Sequence, residues 1–172
     1  GAHLHPWVNP PYEEAVNSYN SFPGNLPRSL EAAKLKVLTD CVSEKFGLHP
    51  TVYKAGRYGV GRNTAEILEE QGYEIDLSVC PHMNYSAEGG PDFTSCTARP
   101  YWFGKRRLLE LPLTVGFTGL MRRWGPSFHR AANQGLESEQ EGSTDAGRLG
   151  RRFSVSAPRS PLDIRGVYHE PG

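Results

Sequence analysis

The sequence has little cysteine, no long apolar run and no excess of charge of either sign. Its three cysteines, Cys41, Cys80 and Cys96, are an odd number without CxxC spacing, which argues against a disulfide framework or a zinc knuckle. No apolar run approaches the roughly 18 residues that a membrane-spanning helix needs. Because 19 basic and 19 acidic residues cancel, the net charge gives no electrostatic basis for nucleic-acid binding.

The chain is nevertheless long enough for a globular core. Its 172 residues can form one domain or most of a larger one, and 19 glycines with 14 prolines predict many loops. Residues 1–8 have the character of the end of a buried strand, and the chain starts at Gly1 without a signal-like segment. We therefore expect a fragment whose beginning is missing.

Helix-like and strand-like periodicities alternate through the first two thirds of the chain. The predicted elements are a helix over 30–46, a strand over 51–55, a helix from Asn63 or Thr64 to Gln71, and strands over 73–79 and 108–115. This rhythm is typical of an α/β domain with parallel strands. Residues 80–107 are predicted as an extended loop. Residues 134–161 lack sustained periodicity, so we expect a low-order tail over residues 134–172 after a domain over residues 1–133.

The first predicted helix has one apolar face. Its apolar residues recur at steps of three and four; they are Leu30, Ala33, Val37, Leu38, Cys41, Val42 and Phe46. Ser29 is a candidate N-cap and Gly47 a candidate C-terminal stop. On this interpretation Cys41 is a core residue rather than a reactive thiol.

Two histidines lie two residues apart near the start of the chain. In an extended segment His3 and His5 point to the same face, about 7 Å apart, and neutral imidazole is a common zinc ligand. Pro6 and Trp7 follow, and they would end the strand and wall the site. The alternative is two polar residues at a frayed terminus. A zinc site also needs a third protein ligand, which no adjacent residue supplies.

Basic residues surround the glycine-punctuated loop that follows the strand over 51–55. The glycines do not fit the GxGxxG spacing of a dinucleotide-binding loop. Lys54, Arg57 and Arg62 lie near the carboxyl end of a strand, where α/β folds bind ligands. They could orient a catalytic carboxylate or hold an anionic group. In the alternative interpretation they are surface charges beside turn glycines.

Asp76 lies inside the predicted strand over 73–79, with Ser78 on the same face. A carboxylate within a parallel sheet costs several kcal/mol unless it is paired. Lys54 or Arg57 is the natural partner. Asp76 is therefore either one half of a structural ion pair or part of a catalytic site.

The later part of the predicted loop combines acids with aromatic rings, namely Glu88, Asp92, Tyr101, Trp102 and Phe103. Aromatic faces beside carboxylates suit sugar rings, because the CH faces of a sugar are apolar and its hydroxyls need acceptors. In the alternative interpretation, the aromatic side chains only pin the loop to the core. The pattern is compatible with glycan binding or with packing.

Several segments together resemble the polysaccharide deacetylase family, the NodB-homology proteins. Residues 1–7, GAHLHPW, resemble the histidine-bearing strand end of that family. Similarity to its WalW-like branch is carried by NSFPGNLP (20–27), the whole of 51–79, EGGPDF (88–93), RPYWFG (99–104) and LLELPLTVGFT (108–118). The resemblance covers about residues 1–120. It implies a distorted (β/α) barrel, of which this chain would form a part.

The resemblance also implies a site and a cofactor. His3 and His5 would bind a divalent metal, most often zinc, and Arg57 and Asp76 would be the catalytic residues. Lys54 occupies a position where the family commonly has arginine. The candidate substrate-binding residues are Lys54, Tyr58, Trp7, Asp92, Tyr101 and Trp102.

The implied activity is the metal-dependent removal of acetyl groups from a polysaccharide or cell-envelope glycan. The family motif that supplies a metal-binding aspartate and the family's late histidine have no match in this sequence, so this chain would be a truncated or impaired form. The alternative is a non-catalytic carbohydrate-binding domain of the same fold. In either case the expected partner is a glycan, with no nucleic acid and no transmembrane segment.

Overall fold

The computed structural model describes residues 1–105, 108–120, 122–125, 127–128 and 131. These residues fall into two compact units. The described part of the first unit runs to Val115 and is a mixed α/β structure. The second unit begins at Gly116, and its described part includes a short 3₁₀ turn over Arg122–Trp124. The predicted boundary after residue 133 and the predicted tail lie outside the described residues.

The first unit is built on one sheet. Its elements are β1 (Ala2–Leu4), α1 (Arg28–Phe46), β2 (Val52–Ala55), α2 (Thr64–Glu70), β3 (Ile75–Asp76), β4 (Tyr101–Phe103) and β5 (Leu108–Glu110). The described strands have the order β1-β2-β3-β5-β4. All neighbours are parallel except β4 and β5, which confirms the predicted parallel strands. β1 and β4 end this order, and closure into a (β/α) barrel stays a prediction.

Three strands differ from the sequence-based prediction. β3 is Ile75–Asp76, much shorter than the strand predicted over 73–79. β4 lies inside the segment predicted as a loop, because a three-residue strand between Pro100 and Gly104 carries too short a pattern to be recognised. β5 is shorter than predicted, yet the chain stays attached to its neighbour. Beyond β5, the Leu111 N–H donates to Asp76 O and the Leu113 N–H donates to Val79 O, each at 2.9 Å.

α1 begins earlier than predicted and ends where predicted. Its N-terminal flank is Pro27 rather than a Ser29 cap, and the Pro27 carbonyl accepts the N–H groups of Leu30 and Glu31 at 2.9 and 3.0 Å. At the other end, Gly47 has φ 67°, a left-handed conformation that suits glycine. The prediction of Gly47 as the stop is confirmed.

The predicted apolar face of α1 is only partly correct: Leu30 is buried and Leu38 packs against the core, but other members are exposed. Val37 is 40% exposed and Phe46 75% exposed, and Cys41 is exposed rather than in the core. The buried side chains of α1 are Leu30, Glu31, Lys34, Leu35 and Thr39. Three of these five are polar, and each has a hydrogen-bond partner in the interior. A count of apolar spacing therefore misses the polar side chains on the face that α1 buries.

Glycines in the loop after β2 let two backbone segments touch. The Gly24 N–H donates to Gly59 O at 2.7 Å. A Cβ added to Gly61 would lie 2.3 Å from Gly24 O, and one added to Gly24 would lie 2.1 Å from Gly61 N. These glycines are thus needed for close approach of the chain to itself.

α1 packs against β1, and the sheet is covered by a core whose largest fully buried members include Tyr53, Phe22, Phe93 and Leu4. Ile67 and Leu68 of α2 are also buried. Within the described part of the chain, no helix has both the length and the apolar character needed to cross a lipid bilayer.

Candidate functional site

The two predicted ligand histidines come together at the end of β1. The Nε2 atoms of His3 and His5 lie 2.9 Å apart, and the rings meet edge to face with centroids 4.6 Å apart. Strand alternation places the two side chains on one side of the chain. The two imidazole rings are therefore in contact, while metal binding by them stays a prediction.

The backbone of β2 sets the orientation of the His3 ring. His3 and Lys54 are paired in register, and His3 Nδ1 lies 3.1 Å from Lys54 O. Because a carbonyl only accepts, Nδ1 donates in this contact, and the neutral ring has a lone pair on Nε2 that accepts the Nε2–H of His5. Burial, and then the nearby His3, lower the pKa of His5, so both effects favour the neutral imidazole that a metal requires.

Lys54 and Tyr58 lie on the next strand and its following turn. The Lys54 ammonium donates to Leu77 O at 3.2 Å and lies over the Tyr58 ring, 4.7 Å from its centroid. Tyr58 in turn stacks on Tyr85 at 5.8 Å. The Tyr58 ring, stacked on Tyr85, thus lies against the partly buried ammonium group of Lys54 on β2, the strand that pairs with β1.

Arg57 links two loops through its side-chain contacts. Its side chain forms an ion pair with Glu88 and donates to Ser21, and its guanidinium lies 4.3 Å from the centroid of the Phe22 ring. Its φ of 54° is a left-handed conformation, which costs free energy at a non-glycine residue. These contacts fasten the loop before α1 to the loop after β3.

Asp76 lies on a different face from the histidine pair. It is paired in register with Tyr53, and strand alternation puts Tyr53 opposite Lys54 and therefore opposite His3. The Asp76 side chain is fully buried and accepts a hydrogen bond from Ser78 Oγ. The predicted sharing of a face by Asp76 and Ser78 agrees with this contact.

Glu110 is a buried acid that the sequence analysis did not single out. It is the register partner of Asp76, is fully buried, and accepts the Val79 N–H at 3.0 Å. Burial, and then the charge of Asp76, raise the pKa of Glu110 to about 10. The signal was available: the position lies within a predicted strand, where a carboxylate needs a partner or a proton.

The predicted sugar-binding residues differ in how far their side chains are exposed to solvent. Trp7 and Trp102 are 42% and 50% exposed, whereas Tyr101 is 4% exposed and belongs to the core. Asp92 Oδ1 accepts the Thr94 N–H at 2.9 Å, so it shapes its own loop. The two tryptophan side chains are thus partly exposed to solvent, and Tyr101 has the packing role of the alternative interpretation.

Comparisons with known proteins give one similar solved structure. No protein-family model matches the chain, and no curated protein matches it. The structure is the crystal structure of a "putative polysaccharide deacetylase" from Mycobacterium smegmatis, with 22% identity and a TM-score of 0.40. The match covers 51% of this chain and 26% of that one.

Proposed function

We propose that the chain is part of a metal-dependent hydrolase that removes acetyl groups from a polysaccharide or cell-envelope glycan. The observation that carries the proposal is the imidazole pair of His3 and His5 at the carboxyl end of β1. In α/β proteins with parallel strands, this end of the sheet is where ligands bind.

The pair has the chemistry of two ligands of a zinc site. Nitrogens that share a tetrahedral zinc at about 2.0–2.1 Å lie roughly 3.3 Å apart. The two Nε2 atoms, 2.9 Å apart, are joined by a hydrogen bond, so zinc binding would require the rings to separate slightly and the shared proton to leave Nε2 of His5. A ligating histidine usually donates its other ring N–H to a carbonyl or carboxylate, as His3 donates to Lys54 O. Among the described residues, no group of three or more His, Cys, Asp or Glu could hold a metal. Zinc binding by this chain is therefore expected to be weak.

A zinc ion at His3 and His5 would supply Lewis acidity toward an acetyl carbonyl. The chain's own groups would bind and orient the glycan. Lys54 has N–H groups beyond the one given to Leu77 O, and the exposed ring of Trp7 can cover an apolar sugar face. Catalytic roles for Arg57 and Asp76 stay predictions.

Calorimetric titration of the metal-free chain with zinc tests the site. We expect weak binding, and we expect His3→Ala to lower the affinity roughly tenfold or more, because it removes one of two ligands. His49→Ala is the matched control, since His49 is exposed and its Nε2 contacts Gln71 O at 2.9 Å. Zinc binding that is equally tight without His3 would show that the ion is held elsewhere.

Acetate release from an N-acetylated chito-oligosaccharide distinguishes the proposed hydrolase from a non-catalytic carbohydrate-binding domain. Zinc-dependent release that disappears in the His3→Ala chain supports the hydrolase. Oligosaccharide binding that needs no zinc and yields no acetate supports the non-catalytic carbohydrate-binding domain, and it contradicts the proposal.

A further inference from the structure

A lysine is fully buried beneath the segment that follows the histidine pair. The Lys34 ammonium, on α1, donates to the carbonyls of Pro6, Asn9 and Pro11 at 3.0, 2.7 and 2.5 Å. It also forms an ion pair with Glu14 at 2.9 Å, and both side chains are almost completely buried, with 0% and 4% exposure. All three ammonium protons are therefore committed to one short segment, residues 6–14.

That segment holds His5 by its backbone. The His5 N–H donates to Asn9 Oδ1 at 3.0 Å, and the His5 carbonyl accepts the N–H groups of Val8 and Asn9, each at 3.2 Å. Asn9 thus contacts Lys34 through its carbonyl and His5 through its side chain and its N–H. Only two hydrogen bonds separate the buried ammonium from the backbone of His5.

His3 is held by a different set of contacts. It lies within β1, which pairs with β2, and its ring contacts Lys54 O. None of these contacts involves residues 6–14. Loss of the buried ammonium should therefore displace one imidazole and leave the other in place.

We propose that Lys34 is a positioning residue for the imidazole pair, acting on His5 through residues 6–14. The metal-binding part of this inference rests on the proposed function, whereas the placement of the rings does not. Methionine at position 34 has a similar length but no donor. Three carbonyls and the Glu14 carboxylate would then be buried without a partner, so residues 6–14 would move outward to reach water.

The test compares Lys34→Met with Lys36→Met. Lys36 lies two residues away on α1, is 68% exposed, and pairs with Asp40. In the metal-free chain, NMR should detect a short-range contact between the His3 and His5 rings in wild type and in Lys36→Met. We expect Lys34→Met to lose that contact, to keep the contact of the His3 ring with β2, and to bind zinc roughly fivefold more weakly or worse.

The outcomes separate this inference from the proposed function. An unchanged ring-to-ring contact in folded Lys34→Met overturns the positioning role, whatever happens to zinc. Zinc binding that does not need His3 overturns the proposed metal site but leaves the ring contact as a test of Lys34. If Lys34→Met does not fold, Lys34→Met with Glu14→Leu removes both buried charges, and it should fold with His5 displaced. If neither variant folds, Lys34 supports the whole fold and the local role is wrong.

Discussion

Gly61→Ala is expected to lower the free energy of unfolding by about 3 kcal/mol. The new Cβ would lie 2.3 Å from Gly24 O and 2.7 Å from Gly24 Cα. Both neighbours are backbone atoms, which cannot rotate away as the end of a side chain can. The segment around Gly24 would have to separate from the loop after β2, and the hydrogen bond from Gly24 N to Gly59 O would be strained or lost.

Urea unfolding followed by tryptophan fluorescence measures this loss. Gly116→Ala is the matched control, because a Cβ at Gly116 would meet nothing within 4 Å, and its effect should be within about 0.5 kcal/mol. Gly24→Ala disrupts the same contact from the other side, so the double variant should lose less than the sum of the two single effects. A Gly61→Ala chain that loses under about 1 kcal/mol would show that the two segments separate easily.

The same contact depends on two segments that are distant in the sequence. The spacing of the glycines between β2 and α2 predicts only a turn or an anion-binding loop beside Arg57. In the structure they give the backbone of Gly24 room to approach, and that neighbour lies about 37 residues away in the sequence. Local spacing reveals that glycine is needed, but it does not reveal which distant segment approaches.

The parallel strands could be predicted because their signal is local. Short apolar runs alternate with a helical period, and the C-terminal stop of α1 is a glycine, Gly47, in a left-handed conformation. The buried face of α1 could not be predicted, because Glu31 and Lys34 are accommodated by partners in α2 and in residues 6–14. A pattern that counts only apolar residues places both charges in water.

In the candidate site, too, some features could be predicted from the sequence and others could not. The common side of His3 and His5 follows from strand alternation, and the sequence analysis predicted it. The cage around Lys34 is made of main-chain carbonyls, which every residue has, so no residue type indicates it. Arg57 joins Glu88 and Ser21 because two loops fold beside it, and their approach depends on the whole fold.

Glu31→Gln is expected to remove a loss of stability that wild type shows as the pH rises. Glu31 is 1% exposed, and Thr64 Oγ1 donates to its Oε1 at 2.6 Å. Burial raises the pKa of Glu31 from 4.5 to about 8, with Thr64 and Arg28 opposing the rise and Asp76 adding to it. Tyr53 also interacts with this carboxyl from β2. Near neutral pH the folded chain therefore keeps a proton on Glu31.

The direction of the pH effect follows from proton binding. Below pH 4.5 the carboxyl is protonated in both states, and it adds no pH dependence. Between 4.5 and about 8 the unfolded chain releases this proton while the folded chain retains it, so stability falls as pH rises and then levels off. A glutamine still accepts from Thr64 and has no charge to bury. Relative to wild type, Glu31→Gln should gain about 2–4 kcal/mol between about pH 4 and pH 9.

Urea unfolding at several pH values across that window measures the difference. Glu44→Gln is the control on the same helix, because the Glu44 side chain is 75% exposed and pairs only with neighbouring Lys45 among the described contacts; its pH dependence should follow wild type. The comparison cancels the histidines and other groups that titrate over the same range in all three chains. If Glu31→Gln and wild type lose stability in parallel, Glu31 is ionised in the folded protein, and the buried face of α1 must open to water around it.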